Sequence, residues 1–273
     1  MIRVFDAASS RTLPFDPELQ THIADTNVWI DVDRPSPGEE SHLESLLGLD
    51  IPTADEMKDI EPSSRLYRER GAIFMTANIV WKSETDEPES APVTFILTPR
   101  RLVTIRYSEP QSFYAYSAYA ERHADVCPSG ARVFTGMIES IVDRTAEILE
   151  RAGGDVDGIS RAVFRMKQTG ERKPSSDALR EMLARLALNQ TLIAKVRESL
   201  VSLGRMVSYC SAVFDPGPDV ELREHVRSIQ RDIQSLTDHA SYLTQMTSFL
   251  QDAALGFINL EQNEIIKIFS VAA

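Results

Sequence analysis

The side chains that could do chemistry in this sequence do not form a catalytic group. The five histidines are scattered along the chain and show no metal-binding spacing: His22, His42, His123, His225 and His239. Cys127 and Cys210 lie far apart, lack the CxxC spacing of a zinc or redox site, and have no recognisable base partner. Neither a GxSxG nor a P-loop spacing occurs. The sequence therefore argues against an enzyme, and two unclustered thiols are typical of a reducing cytoplasm, where we expect no disulfide.

A stronger chemical pattern lies near the C-terminus, in a helix predicted over residues 249–273. At about 100° per residue, one face mixes carboxylate, amide and hydroxyl groups with apolar side chains. We call this face the mixed row, and its members are Asp252, Leu255, Asn259, Asn263, Ile266 and Ser270. Leu250, Ala254 and Phe257 lie on the opposite face. Such a row suits a wet, symmetric axis better than a protein core, but a plain solvated helix face has the same composition.

Charge and hydropathy limit the partners. The 273-residue chain carries a formal charge of −12. This argues against nucleic acid, because a phosphate-binding surface needs concentrated Lys and Arg, and makes cations the expected charged partners. No window reaches the roughly 20 apolar residues that span a bilayer. Taken alone, the sequence predicts a soluble chain.

The element pattern predicts an α+β fold in three parts: an N-terminal α/β sandwich domain over 1–125, a long helical hairpin over 126–215, and one very long stalk helix over 216–273. In the first part, β-rich runs follow a first strand near Ile2 and cover 28–32, 72–81, 93–97 and 102–105. Helices are predicted over 37–47 and 53–59, the second with the capping box of Thr53 and Glu56. The acidic segment 82–90 is predicted to be a mobile loop. A helix after Pro110 should bury Phe113, Tyr116 and Tyr119.

The second half is predicted to be helical from residue 131. Gly153 and Gly154 should weaken or bend the first helix, and a turn over 169–174 leads to Ser175 as the N-cap of the second. The third helix starts near Asp219 and carries an apolar seam at heptad-like spacing. The seam is Leu222, Val226, Ile229, Ile233, Leu236, Ala240, Leu243, Thr247, Leu250, Ala254 and Phe257. Roughly 55 residues make a helix about 80 Å long, and a helix of this length must pack against the hairpin or against other copies of itself.

Three segments carry a family resemblance. Gly256-Phe257-Ile258-Asn259, Glu261-Gln262-Asn263 and the run from Ile265 to Val271 resemble the end of the cytoplasmic stalk and the start of the first transmembrane helix in the CorA family of magnesium and cobalt transporters. The upstream layout agrees in order and length. The resemblance implies a homopentamer in the cell inner membrane, with this soluble segment on the cytoplasmic side and the membrane spans beyond residue 273. The chain would then be cut within the first transmembrane helix. The family's Gly-Met-Asn signature is absent, so this chain alone cannot conduct ions.

The resemblance also implies roles for the mixed row. Five copies of Asp252 would form a ring that concentrates cations, and rings of Asn259 and Asn263 would meet the hydration shell of Mg²⁺, an ion that dehydrates reluctantly. Ile266 and Phe269 would be apolar constrictions, with Leu255 and Ser270 facing the same axis. Mg²⁺ is the implied transported and regulatory ion, with Co²⁺ or Ni²⁺ also possible. The alternatives are solvated side chains and, for Ile266 and Phe269, membrane anchors.

Intracellular metal sensing is a further implication. Met57-Lys-Asp-Ile60 matches the short helix that carries a sensing acid in the family, which places that acid on Asp59. The candidate partners on a neighbour's long helix are Asp232 and Asp238, although all three residues could equally form surface salt bridges. Two close carboxylates repel, and a divalent cation converts the repulsion into a bridge. The other functions left open are a ZntB-like zinc transporter, which the run from Ile265 to Val271 disfavours, and a soluble helical scaffold.

Overall fold

The computed structural model describes residues 1–59, 61–123, 127–165, 176–215, 217 and 219–272, and it omits the side chains at 62, 165, 176, 261, 264, 265 and 267–272. The fold is α+β. The strands are β1 Ile2–Asp6, β2 Arg11–Phe15, β3 Asn27–Asp33, β4 Leu66–Glu69, β5 Ala72–Trp81, β6 Glu89–Leu97 and β7 Leu102–Arg106. The helices are α1 Pro37–Leu47, α2 Pro62–Arg65, α3 Gln111–Arg122, α4 Gly130–Arg165, α5 Ser176–Val213 and α6 Val220–Ala272.

All seven strands form one mixed sheet, in the order β2-β1-β3-β7-β6-β5-β4. Only the central pair β3–β7 is parallel, with Trp29 opposite Leu102 and Asp33 opposite Arg106. The predicted hairpin between β6 and β7 is confirmed, since Thr98 donates its N–H to the Arg101 carbonyl at 3.0 Å. The hairpin leaves both strands buried at the middle of the sheet.

Helices cover both faces of the sheet. Leu43 of α1 and Met57 are buried on one face with Ile30 and Val103. On the other face a larger core joins the sheet to α3, α4, α5 and α6, and it includes Trp29, Phe113, Ile141, Leu203 and Ile233. This core runs through the boundary near residue 125, and the three-part domain division stays a prediction.

Two local predictions about helices need correction. The predicted helix over 53–59 is only a 3-10 turn, Glu56–Lys58, although Thr53 and Glu56 exchange the expected capping bonds. Tyr119 is 41% exposed, and Ala120 is buried in its place. Steps of three residues drift around a helix by about 60° each, so the seventh residue after Phe113 returns to the buried side and the sixth does not.

The segment predicted as a mobile loop is shorter than expected and is attached to α4. β6 already begins at Glu89, and the Glu84 carboxylate lies 2.7 Å from Arg144 Nη2 and 3.5 Å from Arg151 Nη1. Helix α4 runs through Gly153 and Gly154 without interruption. Ile60, the turn at 169–174 and the Ser175 N-cap lie outside the described residues.

Candidate pore-lining and metal-sensing surfaces

Helix α6 has a buried face along its first two thirds. The predicted seam packs between α4 and α5 of the same chain, and Ile229, Ile233, Leu243, Leu250 and Ala254 are at most 3% exposed. The helix begins at an Asp219 carboxylate that accepts the Leu222 N–H at 2.9 Å, a capping contact that satisfies one free donor of the first turn. The helix therefore has a fixed rotation about its axis relative to the hairpin.

The mixed row lies on the side of α6 that the hairpin does not cover. Asp252, Asn259 and Asn263 are exposed, Leu255 is 50% exposed and Ile266 is 60% exposed. The separation of the two faces follows from the 3.6-residue period, which was the basis of the prediction. The side chains of Phe269 and Ser270 lie outside the described residues, so only their helical backbone is placed.

The hairpin stops supporting α6 near Phe257. Phe257 packs against the small core of Val156, Ile159, Val163 and Leu186 at the far end of the hairpin. After Ile258, the side chains that the structure describes are all exposed: Asn259, Leu260, Gln262, Asn263 and Ile266. An isolated helix of this length is marginally stable in water. The end of α6 after Ile258 therefore needs contacts beyond those that the hairpin provides.

Asp59 lies in an exposed acidic segment at the end of the 3-10 turn. Its Oδ1 accepts the Glu61 N–H at 3.1 Å, and its carbonyl accepts from Arg65 Nε. Asp55, in the same segment, pairs with Lys58 Nζ at 2.9 Å. Met57, buried beside α1, anchors the segment to the sheet. The Asp59 carboxylate is thus held at the surface by its own local backbone.

Asp232 and Asp238 are both exposed on α6. Asp238 accepts from Gln234 Nε2 at 3.0 Å, one helical turn away. Asp232 lies close enough to α4 to help raise the pKa of Asp143. Asp232 is therefore the predicted partner acid whose charge acts on Asp143 of α4.

Asp143 is an acid that the sequence reasoning missed. Its side chain is exposed on one side, but partial desolvation by neighbouring atoms is the main cause that raises the pKa of its carboxyl, and Glu139, Glu147 and Asp232 raise it further. Glu139 lies 3.1 Å from His225 Nε2 and Glu147 lies 2.8 Å from Arg144 Nη1. Among the described residues, Asp143 has no ion pair or hydrogen bond of its own. The signal that could have found it is the four-residue spacing of 139, 143 and 147, which places three acids on one face of a helix.

The predicted sensing acids occupy opposite layers of one chain. Met57, two residues before Asp59, packs on the sheet face that carries α1, whereas Ile233, next to Asp232, packs on the opposite face. Within the described chain, no three His, Cys, Asp or Glu side chains converge closely enough to hold a metal. The buried neighbours of Asp59 and Asp232 thus lie in different layers of the fold, an arrangement compatible with a site between two copies of the chain.

None of the described helices is both long enough and apolar enough to cross a bilayer. The comparisons with known proteins agree on one family. Residues 24–273 match the family model described as CorA-like Mg²⁺ transporter protein. The magnesium transport protein CorA of Salmonella typhimurium is 30% identical over 274 residues, which cover 100% of this chain and 83% of the relative.

Two solved structures share the fold. The complete CorA magnesium transporter from Methanocaldococcus jannaschii matches with a TM-score of 0.75 at 15% identity, over 100% of this chain and 82% of that one. The ZntB cytoplasmic domain from Vibrio parahaemolyticus matches with a TM-score of 0.66 at 11% identity, over 94% of this chain and 97% of that one. At these identities the two likenesses establish the fold alone.

Proposed function

This chain belongs to the CorA-like Mg²⁺ transporter family, and we propose that it is the cytoplasmic part of a divalent-cation channel, where it forms the pore vestibule and senses intracellular Mg²⁺. The functional unit is a homopentamer in the inner membrane, with this segment on the cytoplasmic side. The transported ion is Mg²⁺, with Co²⁺ or Ni²⁺ as possible substitutes. The chain is a transporter component and not an enzyme.

The observation that carries this proposal is the exposure of the mixed row opposite the buried seam. Packing of the seam against α4 and α5 leaves Asp252, Asn259 and Asn263 free to face a common axis. In five copies, Asp252 forms a carboxylate ring that concentrates cations at the pore mouth. Amide rings from Asn259 and Asn263 contact water on a hydrated Mg²⁺ without stripping it.

Apolar exposure on the same helix supports assembly. Tyr242 is 57% exposed, Phe249 54% and Leu260 61%, in addition to Leu255 and Ile266. Scattered exposed apolar residues are ordinary, but these all occur on one helix, and the end of that helix beyond Phe257 needs further contacts. Neighbouring copies of α6 would cover them.

Metal sensing would take place between copies. Asp59 of one subunit meets Asp232 of its neighbour, beside Asp143, and Asp238 is the alternative partner. The raised pKa of Asp143 supports this choice: partial burial is its main cause, but Asp232 of α6 contributes to it, so the two carboxylates repel each other. A divalent cation removes the repulsion and tightens the interface, which holds the pore closed. Loss of the cation loosens the interface, and α6 carries the change toward the membrane.

The sensing proposal is tested by limited proteolysis of the transporter that contains this chain, with and without Mg²⁺. Mg²⁺ should protect the unaltered protein, and Asp59→Ala should lose most of that protection. Asp55→Ala is the matched control, because Asp55 is equally exposed in the same segment and already pairs with Lys58. Unchanged protection in Asp59→Ala would show that Asp59 is not a sensing ligand.

The pore proposal is tested by Mg²⁺ flux through the same transporter in vesicles. Asp252→Asn should reduce flux at low Mg²⁺ and have less effect at high Mg²⁺, because a carboxylate ring acts by raising the local cation concentration. Glu224→Gln is the control, since Glu224 is an exposed acid of α6 that pairs with Arg227. Equal effects of the two variants would contradict the vestibule role of Asp252.

Zinc is the alternative cargo. The likeness to the ZntB cytoplasmic domain concerns the fold, whereas the curated relative from Salmonella is a magnesium transport protein. The same vesicles, loaded with Zn²⁺ in place of Mg²⁺, decide between the two ions. A soluble scaffold is disfavoured by the family membership.

A further inference from the structure

A basic cavity lies at the end of the sheet, away from α6. It has a volume of about 560 Å³ and opens where three turns meet. These are the β6–β7 turn ending at Arg101, the β4–β5 turn at Arg70 and Gly71, and the end of α1 at Gly48. Gly71 and Gly48 have φ of +82° and +68°, a conformation that glycine adopts without strain. We call this feature the arginine cavity.

The lining of the arginine cavity is cationic. Arg70, Arg100, Arg101 and His22 contribute to it, and none of the described residues that line it is an acid. This is unexpected in a chain of net charge −12. The volume falls in the range of small-molecule pockets, and Ile23, Leu46 and Leu47 supply apolar walls.

Arg101 is the residue that points to a ligand. It is 7% exposed, and its Nη1 is buried without a hydrogen-bond acceptor. The nearest carboxylate, Asp25, lies 3.9 Å from Nη2. Burial lowers the pKa of Arg101, which reflects the same poor solvation of its charge. A buried guanidinium nitrogen whose N–H groups lack an acceptor is costly unless an anion completes its contacts.

The acids near the cavity do not neutralise it. Asp25 lies 2.6 Å from Arg100 Nη1, but the two side chains are 76% and 70% exposed. Arg70 is 3.7 Å from Asp50 and 3.6 Å from Glu69, again on exposed side chains, and it also donates to the Gly48 carbonyl at 3.3 Å. Exposed pairs of this kind contribute little, so an anion can displace Asp25 from Arg100 at small cost.

We propose that the arginine cavity binds a phosphate-bearing small molecule, with its phosphate held by Arg100 and Arg101. A planar guanidinium matches two phosphate oxygens at once, and the phosphate supplies the acceptor that the fold does not give to Arg101 Nη1. The apolar walls contact the organic part of the ligand. The inference does not depend on the proposed transport function.

Isothermal titration calorimetry on the 273-residue chain, at low and constant ionic strength, tests the proposal with inorganic phosphate, AMP and adenosine as probes. Phosphate and AMP should bind, AMP more tightly because it also fills the apolar part, and adenosine should bind at least tenfold more weakly than AMP. Absence of phosphate binding at millimolar concentrations would overturn the proposal.

Three variants identify the site. Arg100→Gln should weaken AMP binding at least tenfold, and because Arg100 is exposed the variant should fold normally. Asp25→Asn should tighten binding, since it removes the acid that competes for both arginines; weaker binding in this variant would contradict the site. Arg223→Gln, which alters an exposed arginine paired with Asp215 elsewhere on the surface, is the control. Equal losses in Arg100→Gln and Arg223→Gln would show only nonspecific attraction and would overturn the proposal.

Discussion

Two glycines of α4 should respond in opposite directions to the same substitution. A Cβ at Gly136 would lie 2.7 Å from Tyr116 Cε2 and 3.0 Å from its Oη, whereas a Cβ at Gly154 meets no heavy atom within 4 Å. The Tyr116 ring has little room to move, because it is 2% exposed, packs edge-on to Trp29 at 5.7 Å between centroids, and lies with its Oη 3.2 Å from Cys127 Sγ. The close approach of α4 to α3 thus depends on a missing side chain at position 136.

The size of each effect follows from two opposing terms. Alanine is favoured over glycine within a helix by about 0.8–1 kcal/mol at either position. At Gly136, forcing a methyl group against a packed ring costs about 1–3 kcal/mol, so the net result is a loss of up to about 2 kcal/mol. At Gly154 nothing opposes the helical gain. For a chain of this size, each kcal/mol shifts the unfolding midpoint by roughly 2–4 °C.

Thermal unfolding followed by far-ultraviolet circular dichroism measures the difference. Gly154→Ala should raise the midpoint by about 2–4 °C, and Gly136→Ala should lower it. Gly158→Ala, with no heavy atom near its added Cβ, serves as a second open-site variant and should resemble Gly154→Ala. If Gly136→Ala raised the midpoint as much as the open-site variants, the packing of α3 on α4 described here would be wrong.

Three further predictions concern charged groups. Asp143→Asn should stabilise the chain at neutral pH by about 0.5 kcal/mol or less, because the raised pKa means that the charged carboxyl is disfavoured in the folded state. As pH falls through the raised pKa, the Asp143 carboxyl of the folded wild-type chain becomes protonated and its penalty disappears. The extra stability of Asp143→Asn should therefore vanish below the ordinary pKa of an aspartate in the unfolded chain. Urea unfolding of both chains at several pH values would measure this. Arg106→Met should cost about 3 kcal/mol, the lower end for a broken buried ion pair, because Asp31 loses its bidentate partner at 3.1 and 3.0 Å but keeps Arg3 Nη2 at 2.9 Å. Asp31→Asn in the same chain should recover part of the loss in a double-mutant cycle. Glu84→Gln should accelerate amide exchange in residues 83–87, measured by mass spectrometry, while the unfolding midpoint stays unchanged, because the ion pairs to Arg144 and Arg151 hold a surface segment only.

The strength of the local hydrophobic pattern decides which elements the sequence predicts. β5 matches its predicted bounds because Ala72–Trp81 is an apolar run, interrupted only by Thr76 and Asn78, that is buried on both faces of the sheet. β2 and β4 were missed, and both are edge strands: Arg11–Phe15 contains Pro14 and is mostly exposed, and Leu66–Glu69 has four residues. An edge strand is specified by the neighbour that it pairs with, which a single segment does not reveal.

The residues of the candidate site also differ in how well the sequence predicts them. The rotation of α6 was predictable, since the seam and the mixed row follow from one helical period along one segment. The raised pKa of Asp143 was not, because it depends on the surroundings of the side chain in the fold and in part on Asp232, 89 positions later in the sequence. Likewise, Arg101 is an ordinary turn residue in the sequence, and the burial of its Nη1 is visible only in the folded chain.

On the proposed function, the opposite placement of Asp59 and Asp232 couples metal binding to association. A cation that bridges these acids is held by two subunits, so it binds the assembled form more tightly than the separate chains. By linkage, binding of the cation raises the association constant of the subunits by the same factor. The midpoint of a Mg²⁺ titration, followed by light scattering, should therefore move to lower Mg²⁺ as protein concentration rises. A cation held within one chain, for example beside Asp143 alone, would give a midpoint independent of protein concentration. The concentration dependence thus distinguishes a site between subunits from a site on one surface.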